Sequence, residues 1–181
     1  MSEYFIIELI FIFAFLVNIC HFHASTRQRM MLMKFGVGIL YAFYFFCLGA
    51  ETAMLAAMIS GLGGLMQACF ADDVLHKTKK LRTGVAVLLA GASILVSAGN
   101  SLEALPLVAV INSRLMEIQS CRQRIRVGYI LSMTCWITYA ISSGLILLYI
   151  TENLNMLSNL YAIWKEEKKR KQSALVPAYA A

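Results

Sequence analysis

Three polar side chains, Glu152, Asn155 and Asn159, interrupt the last hydrophobic run of the chain, residues 145–164. Their spacing of three and four residues places them on one face of a helix, within about 60° of one another. An acidic side chain inside a bilayer helix costs on the order of 2.5–3.5 kcal/mol, so it usually faces a helix bundle or a water-filled cavity. The stripe therefore predicts a polar site inside a membrane protein.

Two kinds of chemistry fit this stripe. The carboxyl group of Glu152 could bind and release a proton, because loss of water disfavours its charged form, and the amides could hold a neutral polar solute. The alternative is a buried polar network that simply joins helices, in which each interhelical hydrogen bond contributes about 0.6 kcal/mol. Asn18 in the first hydrophobic run and Asn112, Ser113 and Arg114 in the fifth are candidates to face the stripe.

The composition indicates the surroundings of this site. Of the 181 residues, 60% are hydrophobic and 14% are charged, and the mean hydropathy is +0.69. A soluble domain of this size cannot bury so much apolar surface, so the chain is predicted to be an integral membrane protein in contact with the lipid bilayer. The basic residues behind the net charge of +6 lie mostly in short loops beside apolar runs, which favours membrane orientation over nucleic acid binding.

Seven hydrophobic runs are long enough to cross a bilayer: 4–22, 31–49, 52–70, 83–99, 104–120, 127–143 and 145–164. With seven spans, all sixteen Lys and Arg residues fall on one side, and the opposite side carries acidic residues alone. The positive-inside rule then predicts an outside N-terminus and a cytoplasmic C-terminus. A break at Ser142-Ser143-Gly144 is preferred to one helix over 127–150, because residues 151–164 alone would be about 21 Å long, too short to cross.

A shift of 95 residues superimposes the first three runs on the last three. It aligns Arg27-Gln28-Arg29 with Arg122-Gln123-Arg124, Tyr41 with Trp136, and Gly49 with Gly144. The fourth run would make the two units parallel, an architecture of transporters with a substrate site near the membrane midplane. Two similar three-helix units without transport are the alternative.

Under this repeat, Ala57, Ser60 and Gly64 of the third run correspond to the three stripe residues of the seventh, so one helix supplies room where the other supplies polar groups. The candidate substrate-binding residues are therefore Glu152, Asn155, Asn159, Ser60, Asn18 and Asn112.

Other polar and small residues have simpler interpretations. The third run carries small residues at helical spacing, which favours close helix packing. Arg114 is expected to reach the cytoplasmic headgroups, with an ion pair to Glu117 as the alternative. His21 and His23 project about 200° apart on a helix, so they are expected to be interfacial residues rather than metal ligands. The five cysteines are expected to be free thiols.

Motifs for enzymatic chemistry are missing from the sequence. It contains no nucleotide-binding loop, nucleophile triad or zinc-ligand spacing. Neither enzymatic activity nor a metal or other cofactor is therefore expected.

Scattered positions resemble bacterial inner membrane proteins of the YgjV type over most of residues 4–170: Glu103, Leu105-Pro106, Cys135-Trp136, Glu152, Asn159 and Trp164-Lys165. The resemblance implies an inner-membrane location. It also implies the fold of the MtN3/PQ-loop group, which includes the SWEET sugar facilitators: two three-helix bundles joined by a linker helix. In SWEET-like relatives, asparagines on the third and seventh helices help form the central site, and Asn155 or Asn159 is the nearest match on the seventh.

The expected architecture is an all-α, SWEET-like membrane protein with seven transmembrane helices. Residues 1–70 form the first three-helix bundle, 71–102 a basic loop and linker transmembrane helix, 103–171 the second bundle, and 172–181 a C-terminal tail. The expected function is a facilitator of a small polar solute, or a proton-coupled carrier, working by alternating access. A non-transporting interaction or structural protein is the alternative, and homo-oligomers are compatible with either.

Overall fold

Helices account for nearly all of the chain that the structure describes. This computed structural model describes residues 2–70, 104–119 and 121–175, together with single positions between 74 and 102. The helices in these ranges are α1 (Ser2–His23), α2 (Arg27–Cys47), α3 (Glu51–Cys69), α4 (Leu105–Glu117), α5 (Arg122–Ser142) and α6 (Ile146–Leu175). No strand occurs within the described residues, which confirms the all-α class for that part of the chain.

Three of these helices are long and apolar enough to cross a membrane: Phe5–His23, Arg27–Cys47 and Glu51–Cys69. The expected fifth span forms α4, whose 13 residues extend about 20 Å, less than a hydrocarbon core of about 30 Å. The seventh run forms α6, and this helix continues beyond residue 164 through the basic segment to Leu175. The expected linker span 83–99, most of the basic loop before it, Glu103 and residues 176–181 lie outside the described residues.

Two turns with left-handed glycines separate the helices at matching places. Gly49 has φ +68° and Gly144 has φ +67°, a conformation that favours glycine. In both turns the residue after the glycine donates a backbone hydrogen bond to a carbonyl in the last turn of the preceding helix. Ala50 N donates to Phe45 O at 3.0 Å, and Leu145 N donates to Ala140 O at 2.9 Å. The expected break at residues 142–144 is confirmed.

Small residues bring α2 and α3 into backbone contact. Gly38 packs against Gly61, and a Cβ added to Gly38 would lie 2.9 Å from the carbonyl oxygen of Ala57 and still nearer to Gly61. Ala53, Ala56 and Ala57 are also buried. The small-residue stripe of the third run therefore serves close packing, as its spacing predicted.

The helix ends nearest the basic segments meet at one end of the bundle, here called the basic end. Gln28 Nε2 donates to Ala68 O at 3.1 Å, and Gln123 Nε2 donates to Ile163 O at 3.0 Å. Arg126 Nη2 donates to Phe22 O at 2.6 Å, which ties the start of α5 to the end of α1. The glycine turns lie at the other end, here called the turn end.

Large apolar side chains cover the outside of the helices. Phe5, Phe46, Ile146 and Leu157 are each more than 60% exposed. Such continuous apolar exposure is what a bilayer, rather than water, would cover.

Candidate functional site

A cavity of about 90 Å³ lies at the centre of the bundle, and all six described helices contribute to its wall. A buried water needs roughly 10–15 Å³ of such volume, so the cavity has room for several waters or a small solute. Its polar and aromatic lining residues are Asn18, His21, Phe22, Lys34, Tyr41, Phe45, Ser60, Ser113, Tyr129, Ser132, Trp136 and Glu152.

The three stripe residues of α6 are all buried, but they do different things. Glu152 lines the cavity, and its Oε1 accepts a hydrogen bond from Asn155 Nδ2 at 3.2 Å. Asn159 Nδ2 instead donates to Arg126 O at 2.8 Å, which joins α6 to α5. Glu152 is thus the cavity group, Asn155 supports it, and Asn159 fastens two helices.

The other candidate residues also differ in whether they line the cavity. Asn18 and Ser60 line the same cavity as Glu152. Asn112 does not face it, because its Nδ2 donates to Gly128 O at 2.7 Å and to Ser132 Oγ at 2.9 Å. Ser113, the next residue, takes the place at the cavity wall and donates to Ser132 Oγ at 3.0 Å.

Several buried polar atoms at the cavity have no hydrogen-bond partner of normal geometry among the described residues. They are both ring nitrogens of His21, the hydroxyl of Tyr41 and Oδ1 of Asn155. Tyr41 lies close to Asn18, Glu152 and Asn155. Buried polar groups normally find a partner, so these atoms are where water or a bound solute would be expected.

A buried charge cluster, here called the Glu117 cluster, lies between the cavity and the basic end. The fully buried carboxylate of Glu117 pairs with Lys34 through Oε1 and with Arg114 through Oε2 at 2.5 Å. Tyr129 donates to the same Oε1 at 2.7 Å, and Gln67 Nε2 approaches Oε2 at 3.4 Å. The cluster therefore connects α2, α3, α4 and α5.

Two expectations for this region are wrong. Arg114 does not reach the headgroups: it is 8% exposed, lies against Gly63 and pairs with Glu117, which confirms the alternative interpretation. His21 is not interfacial either, since it is 2% exposed and faces the cavity, whereas His23 is exposed and contacts Ser158 Oγ at 3.0 Å. Both errors arise because a single helix pattern does not show what the neighbouring helices supply.

Aromatic rings close the cavity toward the turn end. Phe45 stacks on Trp136 with ring centroids 5.6 Å apart, and Phe11 stacks on Tyr41 at 5.2 Å. Trp136 also contacts the edge of Tyr139 at 6.0 Å. Beyond Tyr139 a second pocket of about 300 Å³ opens at the turn end, beside Glu51, Leu102 and Ser143.

No group of three or more His, Cys, Asp or Glu residues that could hold a metal ion is found in the described part of the chain. All five cysteines are free. Cys121 is exposed just before α5, where a hydrogen bond from the backbone of Arg124 lowers the pKa of its thiol.

The model of one protein family, Imp-YgjV, described as bacterial inner membrane protein, matches residues 5–170. The chain belongs to this family. The match covers all six helices apart from a few residues at each end of the chain, including the cavity and the Glu117 cluster. No curated protein and no solved structure matches the chain. The family description places Imp-YgjV proteins in the bacterial inner membrane and names no activity.

Proposed function

We propose that this Imp-YgjV protein moves a small polar solute across the inner membrane by alternating access, with seven helices arranged as two parallel bundles. The observation that carries the proposal is the central cavity, which lies inside an apolar bundle and brings Glu152, Lys34 and other polar groups into a mainly apolar lining. A purely structural core would be filled rather than left open beside buried polar atoms without partners.

Agreement between the two halves of the chain supports the parallel repeat. Adding 95 to the first and last residue numbers of α2 gives the first and last residue numbers of α5. Adding 95 to the first residue number of α3 gives that of α6. Six pairs of cavity-lining residues also differ by 95: Asn18 and Ser113, Lys34 and Tyr129, Val37 and Ser132, Gly38 and Met133, Tyr41 and Trp136, Ala57 and Glu152. This pairing is expected for a cavity on the axis between two repeats.

The two closures give the proposal a mechanism. The Glu117 cluster would open toward the cytoplasm when its ion pairs separate, and the aromatic rings of Tyr41, Phe45 and Trp136 would open toward the outside. Rocking of one bundle against the other would alternate the two, because each closure contains residues from both halves.

A non-transporting structural role is the second candidate, and two observations favour it for particular residues. The amides of Asn112 and Asn159 bond to backbone carbonyls of a neighbouring helix, so they hold helices together whatever the protein does. This role does not account for the cavity.

Access to Ser60 from the two sides of the membrane tests transport without knowledge of the solute. We would introduce Ser60→Cys into a variant that lacks the five native cysteines and apply a membrane-impermeant cationic thiol reagent. Alternating access predicts modification from the outside in spheroplasts and from the inside in inverted vesicles. Weakening the inner closure with Lys34→Gln, which leaves the pair of Glu117 and Arg114 in place, should increase the rate from the inside.

Leu62→Cys is the matched control, because Leu62 is 48% exposed on the outer surface of the same helix. Its thiol would face hydrocarbon and should remain unmodified from both sides. Modification of Ser60→Cys from one side alone, or from neither side in a folded protein, would contradict alternating access.

A further inference from the structure

The central cavity carries opposite charges toward its two ends. Glu152 and Lys34 both line it; Glu152 is buried and the side chain of Lys34 is 12% exposed. Gln123 on α5 and Ile163 on α6 are hydrogen-bonded to each other near the basic end, so both lie at about the same position along the bundle axis. Distances along α5 and α6 toward the turn end can be measured from this position. By helical rise, Tyr129, which bonds Lys34, lies roughly 9 Å from this position and Glu152 roughly 16 Å from it.

The acidic end has a carboxyl group without an ion-pair partner in the described chain. No ion pair to Glu152 is present among the described residues, and the hydrogen bond from Asn155 is neutral. Tyr41, Phe45 and Trp136 border the same cavity, and aromatic faces attract a cation within about 6 Å of the ring centre. A carboxylate beside three aromatic rings is suited to an ammonium group.

The basic end has the opposite excess. Glu117 is a single carboxylate that balances two cations, Lys34 and Arg114, so the cluster as a whole is positive. His21 adds two buried ring nitrogens without a partner in the described chain, one of which carries a proton in the neutral ring. This end can therefore receive a carboxylate.

From this arrangement we infer that the cavity binds a small zwitterion of the amino acid type, with its ammonium group at Glu152 and its carboxylate toward Lys34 and His21. The inference rests on the proposed function and specifies its solute. A cavity of about 90 Å³ is far smaller than the 300–1,000 Å³ of typical drug-sized sites, so it selects a compound of few atoms.

Matched probes of equal size test the charge requirement on the full-length protein in detergent. L-Alanine carries both charges, L-alaninamide the positive one, propionate the negative one, and glycerol neither. The concentration dependence of the unfolding temperature gives an apparent Kd for each. L-Alanine should bind at least about tenfold more tightly than the other three.

Two variants assign the two ends. Glu152→Gln should weaken L-alanine binding about tenfold or more, while Glu167→Gln on the exposed part of α6 should leave it unchanged. Lys34→Gln should abolish the preference for L-alanine over L-alaninamide. This variant is expected to fold, because Glu117 and Arg114 remain as a neutral pair.

The outcomes separate this inference from the transport proposal. Equal binding of L-alaninamide, tighter binding of propionate or glycerol, or no binding at all would overturn the zwitterion, even if Ser60→Cys is modified from both sides. Selective L-alanine binding that Glu152→Gln weakens would support the site, even if Ser60→Cys is modified from one side alone.

Discussion

Removing the charge of Glu117 should strongly destabilise the protein. Its carboxylate is fully buried between Lys34 and Arg114, whose side chains are 12% and 9% exposed. Glu117→Gln keeps the shape but replaces one accepting oxygen with an NH2 donor, so it can accept from only one of Tyr129 and Gln67, and it leaves the two largely buried cations without a counter-charge. Removing one partner of a buried ion pair typically costs about 3–5 kcal/mol, and we expect a loss in that range.

The ion-pair explanation also predicts how two changes combine. Lys34→Gln alone should cost less than Glu117→Gln, since the pair between Glu117 and Arg114 survives. Adding Lys34→Gln to Glu117→Gln removes one of the two stranded cations. The double variant should therefore be more stable than the sum of the single losses, by about 0.5–3 kcal/mol.

Glu166→Gln is the matched control, because Glu166 also joins two arginines. It accepts from Arg122 at 3.2 Å and Arg126 at 3.3 Å, but its side chain is 42% exposed. Water screens such a pair, so the expected loss is about 1 kcal/mol or less. Reversible unfolding in mixed detergent micelles would give all four free energies. Similar losses for Glu117→Gln and Glu166→Gln, or strictly additive losses in the double variant, would refute the reasoning.

Three further predictions concern packing, a helix contact and topology. Gly38→Ala should lose about 1–3 kcal/mol of unfolding free energy, because the added Cβ would meet the backbone of α3. Gly36→Ala is the control: its Cβ would meet nothing within 4 Å, so its unfolding free energy should be unchanged or rise by up to about 1 kcal/mol. Equal effects of the two substitutions would contradict the packing. Asn159→Leu should lose about 1 kcal/mol in the same assay, because it breaks the hydrogen bond to α5, and should leave L-alanine affinity unchanged. In spheroplasts, an impermeant thiol reagent should modify a single-cysteine variant that retains Cys47, at the turn end, and spare one that retains Cys121, at the basic end; the reverse pattern would contradict an outside N-terminus.

Local patterns predicted what depends on a single helix. Apolar runs and the glycine turns indicated where most helices begin and end, and the acidic residue Glu152 within an apolar run indicated a buried polar group. The Glu117 cluster was predicted only in part. The pair of Arg114 and Glu117 was the alternative interpretation, but Lys34 is 83 residues away from Glu117 and meets it only where α2, α3, α4 and α5 pack together. Lys34, read with the basic residues before it, had the pattern of a loop charge. No local spacing could have placed it against a carboxylate.

The charged residues of the site lie where the two halves of the proposed repeat differ. Where the halves agree, the residues hold helices together. Gln28 donates to the carbonyl of Ala68 and Gln123 to the carbonyl of Ile163, each 40 residues further along the chain. Where the halves differ, the residues form the charged ends. The counterpart of Lys34 is Tyr129, that of Glu117 is Phe22, and that of Glu152 is Ala57. Counterparts in parallel repeats lie at the same height, so identical halves would have placed two acidic groups at one end of the cavity and two lysines at the other. The differences between the halves leave one acidic group, Glu152, opposite one cavity-lining lysine, Lys34, which matches a single zwitterion.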